Sequence, residues 1–146
     1  MKTFTLDEAQ ALLPVVEALL LRAVEARDQA GRIESALQEL NRRIHLSGGI
    51  RVDVTMVARQ KTELEAHMQR MRETMAEIDE IGVQVKDLET GLIDFPCKVE
   101  EQIVLLCWRR GEPAIEFWHT LEGGFAGRQA IDERFRKKNN SNSRLN

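Results

Sequence analysis

A long apolar repeat in the first third of the chain limits the fold more than any other feature of the sequence. Its apolar side chains recur by alternating steps of four and three residues, which is the spacing of a coiled-coil seam. Thr5 and Glu8 have the spacing of a capping box, so the helix is predicted to begin near Leu6 and to cover residues 6–46. The seam consists of Leu12, Val16, Leu19, Ala23, Ala26, Ala30, Ile33, Leu37, Leu40 and Ile44.

A second apolar stripe follows a glycine break. Ser47, Gly48 and Gly49 end the first pattern, as glycines after a long helix commonly do. A second helix is predicted over residues 52–86, and the short connection favours an antiparallel helical hairpin. Its stripe consists of Val57, Leu64, Met68, Met71, Met75, Ile78 and Val85.

Apolar residues outside the seam indicate that the hairpin needs a further partner. Leu13, Leu20, Val24 and Ala36 would stay uncovered if two helices packed only along their seams. A second copy of the same hairpin would cover them, so we expect a homodimer through the long helices. A different protein partner on the same surface is the alternative.

The pattern changes to period two after Lys86, which predicts a small antiparallel sheet over residues 90–120. About three strands are expected, and the turn at residues 109–113 would join the last two in a hairpin. The fold class is therefore α+β and mostly α. Residues 121–133 form a glycine-rich end that lacks the GxGxxG and Walker patterns of nucleotide-binding loops. The expected strands are Leu92–Phe95, Ile103–Trp108 and Ala114–His119.

Composition and charge exclude several classes of protein. A chain of 146 residues is expected to hold one domain, over residues 1–133. Residues 134–146 carry five basic side chains and no acid, and are expected to be a disordered tail. The remaining body has a charge of about −8, which argues against nucleic-acid binding. No apolar run predicts a membrane span or a signal peptide, so a cytoplasmic protein with two free cysteines is expected.

The strand segments hold the residues that could bind a metal ion. His119 ends one predicted strand, and Asp94 and Glu122 could converge on it. A histidine with carboxylates suits zinc, iron, nickel or manganese, although the spacing matches no established ligand motif. A hairpin centred on Gly111 would place Cys107 and His119 at opposite ends of one face, which disfavours a Cys/His nucleophile. The alternative is structural, with Asp94 paired to an arginine and His119 closing a sheet edge.

Several segments resemble a bacterial family described as domain of unknown function 2203. They are FTLDEAQALLP, EIDEIGVQVKDLETGLIDFP and LLCWRRGEPAIEFWH followed by GGFAGR, and they extend from about Phe4 to Arg128. The resemblance implies a small cytoplasmic protein without an assigned reaction, and a metal-binding role suggested for part of the family. By position, that role would fall on Asp87, Asp94, Cys107, Glu112, His119 and Glu122.

Three functions remain open from the sequence. The first is a non-enzymatic dimer that binds a metal ion or a small ligand on the sheet segment. The second is an interaction module whose working surface is the helical hairpin. The third is a metal-dependent hydrolase, although no general base with a matching set of metal ligands can be named.

Overall fold

The structure is a computed structural model that describes residues 1–49 and 51–136. Two long helices precede an antiparallel sheet, which confirms the predicted mostly helical α+β class. The sheet has five strands, so the expected number of about three was too low. The elements are α1 (Leu6–Leu46), α2 (Val54–Ile81), β1 (Gln84–Asp87), β2 (Leu92–Val99), β3 (Gln102–Arg109), β4 (Phe117–His119) and β5 (Gln129–Ala130).

Both helices begin with a side-chain cap in the first turn. The backbone N–H of Thr5 donates to Glu8 Oε1 at 3.0 Å, and that of Glu8 donates to Thr5 Oγ1 at 3.1 Å. This is the reciprocal capping box that the sequence predicts. At the start of α2, the backbone N–H of Met56 donates to Asp53 Oδ1 at 3.1 Å. Both starts are therefore determined by residues within three positions of each other.

The end of α2 differs from the prediction. Residues 52–86 were expected to be helical, but α2 stops at Ile81 and strand β1 begins at Gln84. Gly82 has a φ of +103°, a conformation that glycine adopts without steric cost and that ends an α-helix. Val85, read from the sequence as part of the helical stripe, instead pairs with Ile93 of β2.

The sheet is a meander in which each strand pairs with the next along the chain, in the order β1-β2-β3-β4-β5. β2 and β3 are joined by Glu100 and Glu101, with φ values of 50° and 66°. Two consecutive positive φ values characterise the tight turn that suits a twisted hairpin, where asparagine and glycine are the usual residues. Two glutamates are not a typical sequence for such a turn, which explains why the sequence did not predict β2 and β3 as one hairpin.

Strand β4 is shorter than predicted. The segment from Ala114 was expected to be extended, but β4 covers only Phe117–His119. The backbone N–H of Ile115 donates to Gln10 Oε1 at 2.9 Å, so a helix side chain replaces a strand partner there. The sequence also missed β1 and β5, which have four and two residues.

The chain divides into two compact units, of which the first comprises Met1–Leu20 and the residues from Ala76 onward. In this unit the segment before α1 packs against the sheet: the rings of Phe4 and Phe95 meet edge to face at 5.6 Å. The assignment of residues 1–133 to one domain stays a prediction. The side chains that this core excludes fully from solvent include Val16, Leu20, Ile78, Ile93, Phe95, Leu106 and Trp108.

The second unit, Leu21–Met75, contains the remainder of both helices. Ala23, Ala26 and Ala30 of the predicted seam are buried in it, and so is Thr74. From Ile33 to Ile44 the seam residues are only half-buried. Within this unit, the seam is therefore buried at its three alanines and more exposed toward the end of α1.

Two expectations about the surface change with the structure. Leu13 and Leu20, which the sequence left uncovered, are buried within this chain at 5% and 1% exposure. They therefore no longer argue for a second copy. Phe135, placed by the sequence in the disordered tail, is 2% exposed and packs at 5.6 Å from the ring of Trp118. The rest of the predicted tail, residues 137–146, lies outside the described residues.

Among the helices of the described residues, none combines the length and the apolar character that crossing a membrane requires.

Candidate metal centre

The register of the sheet brings three candidate ligands together. Asp94 of β2 lies directly opposite Cys107 of β3, and His119 of β4 lies opposite Leu105, two residues along β3 from Cys107. The sequence placed Cys107 opposite Ile115, which is wrong by two residues, because Cys107 pairs with Phe117. With this register Cys107 and His119 are diagonal neighbours rather than opposite ends of one face.

Pro96 shows why Asp94 and Cys107 lie so close. Proline has no backbone N–H, and the carbonyl oxygen of Pro96 accepts from the N–H of Phe4 at 2.7 Å rather than from β3. Backbone groups two residues apart in a strand point in the same direction, so those of Asp94 also point away from β3. Asp94 and Cys107 therefore form a pair without hydrogen bonds between their backbones, the kind in which facing side chains approach most closely.

The imidazole of His119 is held at both of its nitrogens. Nε2 lies 3.0 Å from each carboxylate oxygen of Asp94, and Nδ1 lies 2.7 Å from the carbonyl oxygen of Thr120. A carbonyl oxygen only accepts, so Nδ1 carries a proton. A second proton must then lie between Nε2 and the carboxylate, because neither could otherwise donate to the other. The pair as a whole is electrically neutral.

Cys107 completes the group as a protonated thiol. Burial, reinforced by the nearby negative charge of Asp94, raises the pKa of Cys107 to about 12. Because both nitrogens of His119 are bonded elsewhere, the imidazole cannot serve as the base that would activate this thiol. The arrangement therefore does not fit a Cys/His nucleophile.

The three residues form a group that could hold a metal ion. One ligand atom from each of Asp94, Cys107 and His119 can be chosen so that all lie within 4.8 Å of one another, and all three residues are buried. Tetrahedral zinc places its ligand atoms roughly 3.3–3.8 Å apart, from bond lengths of about 2.0–2.3 Å. Small side-chain movements would thus bring the oxygen, the sulfur and the nitrogen into position.

Charge balance also fits a divalent cation. The group now holds no net charge, with one proton on the thiol and one shared by Asp94 and His119. A divalent ion bound to a thiolate, a carboxylate and a neutral imidazole would give the same net charge after displacing both protons. A neutral buried group avoids the large desolvation cost of an unpaired charge in both states.

Three other residues considered from the sequence lie outside this group. Glu122 is exposed in the loop after β4. Asp87 is exposed, and its carboxylate accepts from the N–H of Glu89 and from Thr90 Oγ1, both at 3.0 Å. Glu112 pairs with Arg128 at 2.6 Å. The assignment of any residue as a ligand stays a prediction.

The structure adds two residues that sequence reasoning did not connect to the site. The carbonyl oxygen of Thr120 fixes the orientation of His119, and Arg128 Nη2 donates to the carbonyl oxygen of Cys107 at 3.3 Å. The guanidinium of Arg128 also lies 4.1 Å from the ring centroid of Phe117 and 4.8 Å from that of Phe125. A backbone carbonyl leaves no signal in a sequence, whereas Arg128 was visible as a single cation beside the glycine-rich loop.

Comparison with known proteins identifies a family but no relative of known activity. A family model described as "Uncharacterized conserved protein (DUF2203)" matches residues 2–131. Searches of curated proteins and of solved structures returned no match.

Proposed function

The chain belongs to the DUF2203 family of uncharacterised conserved proteins, and we propose that it is a non-enzymatic metal-binding protein whose centre is formed by Asp94, Cys107 and His119. The observation that carries this proposal is the convergence of three different donor types from three strands on one buried point. Chance pairing of polar residues is rare in a sheet interior, because a buried polar group without a partner is costly.

The orientation of His119 supports metal ligation by Nε2. In metal sites the second ring nitrogen of a ligating histidine usually donates to a carbonyl or carboxylate oxygen. The Thr120 carbonyl already occupies that role at Nδ1, at 2.7 Å. Nε2 is thereby directed at the carboxylate of Asp94. Removal of the proton between them would leave Nε2 and the carboxylate ready to bind an ion.

The donor set favours zinc, with iron and nickel as competitors. A thiolate is a soft ligand that magnesium and calcium do not select, and manganese prefers oxygen donors. Zinc accepts sulfur, nitrogen and oxygen ligands in one tetrahedral shell. Three protein ligands leave a fourth position for water or for a donor that moves on binding.

Burial of the ligands favours a structural or storage role over hydrolysis. Asp94, Cys107 and His119 are 1%, 0% and 3% exposed. A catalytic zinc ion needs an open position that a substrate can reach, whereas a structural site is closed. The hydrolase alternative would need the covering residues to move before any substrate could bind.

The first experiment measures metal in protein purified without an affinity tag. We expect zinc near one ion per chain, and Co²⁺ added to the metal-free protein should produce a thiolate-to-cobalt charge-transfer band. Cys107→Ala should remove that band, while Cys97→Ala should retain it, because Cys97 is the other buried cysteine and is not part of the group. A metal content below about 0.2 per chain, with melting unchanged by chelator, would rule the function out.

A second candidate function rests on the helices. Three exposed apolar side chains flank the connection between α1 and α2: Leu46 is 71% exposed, Val54 is 76% exposed and Met56 is 44% exposed. They favour a role of this end of the helices in binding a second copy or a protein partner, which would also account for the proposed homodimer. Sedimentation of the wild type and of a Leu46→Ser, Val54→Ser, Met56→Ser variant tests this proposal. A wild type that stays monomeric at high concentration would exclude the homodimer.

A further inference from the structure

The segment after β4 contacts the metal centre at both of its ends. This cover segment, residues 120–128, leaves the sheet next to His119 and returns to it before β5. Its first residue accepts from His119 Nδ1 at 2.7 Å, and its last donates to the Cys107 carbonyl at 3.3 Å. A loop that only joined two strands would not need contacts to two different residues of the centre.

The path of the cover segment crosses the face that holds the centre. β3 and β4 are antiparallel, so His119 lies beside Leu105 in the middle of β3, and Arg109 lies four residues further along, at the end of that strand. Yet Phe125 of the segment lies 5.5 Å from the guanidinium of Arg109. Arg109 shares the face of Cys107, because the two are separated by two residues. The contact of Phe125 with Arg109 and that of Arg128 with the Cys107 carbonyl indicate that the segment passes back along the face that holds Cys107.

One ion pair and two ring contacts hold the segment down. Arg128 Nη2 lies 2.6 Å and 2.9 Å from the carboxylate oxygens of Glu112, and the two side chains are 12% and 17% exposed. Its guanidinium also lies over the rings of Phe117 and Phe125. Such partly buried, charge-assisted bonds are among the stronger contacts of a protein surface.

The composition of the segment suits reversible opening. Gly123, Gly124 and Gly127 lie within nine residues, and Gly124 has a φ of +60°. Leu121 and Phe125 are 57% and 43% exposed, so little apolar surface would be lost from the core on opening. Local opening is favoured where few buried contacts hold a segment and its backbone is permissive.

We infer that residues 120–128 are a gate over the Asp94–Cys107–His119 centre, and that the Glu112–Arg128 pair is the latch that limits the passage of a divalent cation. This inference rests on the proposed function for its ligand, but the gate itself can be tested without metal. Glu112 and Arg128 are positioning residues here, since neither supplies a ligand atom to the group.

The test measures the rate at which a small uncharged maleimide labels each cysteine of the metal-free protein. Cys107 is fully buried on the face that the gate would cover, and Cys97 is buried at 3% exposure on the opposite face of the sheet. Labelling of Cys107 therefore reports gate opening together with global unfolding, while labelling of Cys97 reports loss of the core on the opposite face. Mass spectrometry of the two cysteine peptides gives both rates from one sample.

Glu112→Gln should raise the Cys107 rate at least about tenfold and leave the Cys97 rate unchanged, because it removes the charge that strengthens the contact with Arg128. Glu112 Oε1 also accepts from the backbone N–H of Arg109 at 2.6 Å, a bond that the amide oxygen of glutamine can keep. Glu116→Gln is the matched control, since Glu116 is an exposed glutamate four residues away, and it should change neither rate. A Cys107 rate within about twofold of the parent, or equal acceleration at both cysteines, overturns the gate.

A second variant and a measurement of Co²⁺ release complete the test. If Glu112→Gln does not fold, Phe125→Ala replaces it, because this variant removes a half-exposed ring from its contact with Arg128. Phe125→Ala must raise the labelling rate of Cys107 and not that of Cys97. If it does not, the gate is overturned. Release of Co²⁺ to a chelator should then be faster in each variant that opens the gate. A parent protein that binds no Co²⁺ disproves the proposed function, while the labelling rates still decide the gate.

Discussion

The Nε2 atom of His119 lies 3.0 Å from both carboxylate oxygens of Asp94, in a pair that is 25 residues apart in sequence. Their side chains are 3% and 1% exposed. A buried carboxylate without a partner would be costly, so each residue accounts for the burial of the other. The contact satisfies both buried groups, and the loss of its shared proton would leave two candidate ligands.

Asp94→Asn should separate metal binding from folding. The asparagine amide can donate to His119 Nε2, so the buried contact persists with a neutral imidazole and the fold should be retained. Loss of the carboxylate removes an anionic ligand, and affinity for Co²⁺ should fall at least about 100-fold. Titration followed by absorbance measures this change. Glu122→Gln serves as control for the loss of one acidic charge, and an equal loss of affinity there would contradict the assignment.

Metal affinity should increase with pH. Because burial raises the pKa of Cys107 to about 12, the thiol is protonated near neutrality and must release its proton to the solvent when a metal binds. Each proton released makes the affinity rise about tenfold per pH unit. Calorimetry in buffers of different ionisation enthalpy counts the protons. One proton is expected from Cys107 and a second from the Asp94–His119 pair, and binding without proton release would exclude Cys107 as a ligand.

The metal-free protein should lose stability in alkali through the same thiol. The pKa of Cys107 is about 12 in the folded chain and 9.0 in its ordinary state, so the unfolded chain releases the proton first as pH rises. Stability from this thiol is fully present below pH 9 and is lost between pH 9 and about 12, at about 1.4 kcal/mol per pH unit. Urea unfolding at pH 8 and pH 10 measures the loss. Cys107→Ala should show a smaller decrease over this range, and an identical decrease would contradict the prediction.

The hairpin turn between β2 and β3 should be improved by glycine. Glu101 has a φ of 66°, which costs a non-glycine residue roughly 1–2 kcal/mol. Glu101→Gly should therefore raise the free energy of unfolding by about 1 kcal/mol, less the small contribution of its exposed ion pair with Lys98. Chemical denaturation measures the change. Glu101→Ala removes the same ion pair but keeps the strained backbone, so it should not stabilise the protein.

The sheet core should be far more sensitive than the cover segment to loss of a leucine side chain. Leu106 is fully buried at the centre of β3, and Leu106→Ala should lower the free energy of unfolding by about 2–5 kcal/mol. Leu121→Ala is the matched control, because Leu121 is 57% exposed and should cost less than about 0.5 kcal/mol. Comparable losses at the two positions would mean that the cover segment is part of the core.

Part of the candidate site could be predicted from the sequence. Asp94 and His119 were expected to converge, and the structure joins them at 3.0 Å. Glu122 was expected beside them, but the chain turns at Thr120 and Gly123 and leaves Glu122 in solvent. Cys107 entered only through the family resemblance, because the predicted hairpin register separated it from His119.

The sequence by itself determined the two helices. A capping box, an apolar repeat and a glycine at a helix end are patterns of residues a few positions apart. They can therefore be recognised without knowing the rest of the fold. The end of α2 was misjudged by five residues because Val85 continues the helical spacing by coincidence while its real partner is Ile93 of a strand.

Only the tertiary structure decided which candidate ligands meet. The register of β3 against β4 is shifted by two residues from the predicted hairpin, and a shift of two keeps the same face while moving the opposing partner by two positions. Burial patterns therefore cannot distinguish the two registers. The observed register is accompanied by the hydrogen bond of Ile115 to Gln10 and the ion pair of Arg128 with Glu112, and both join residues from different elements of the fold.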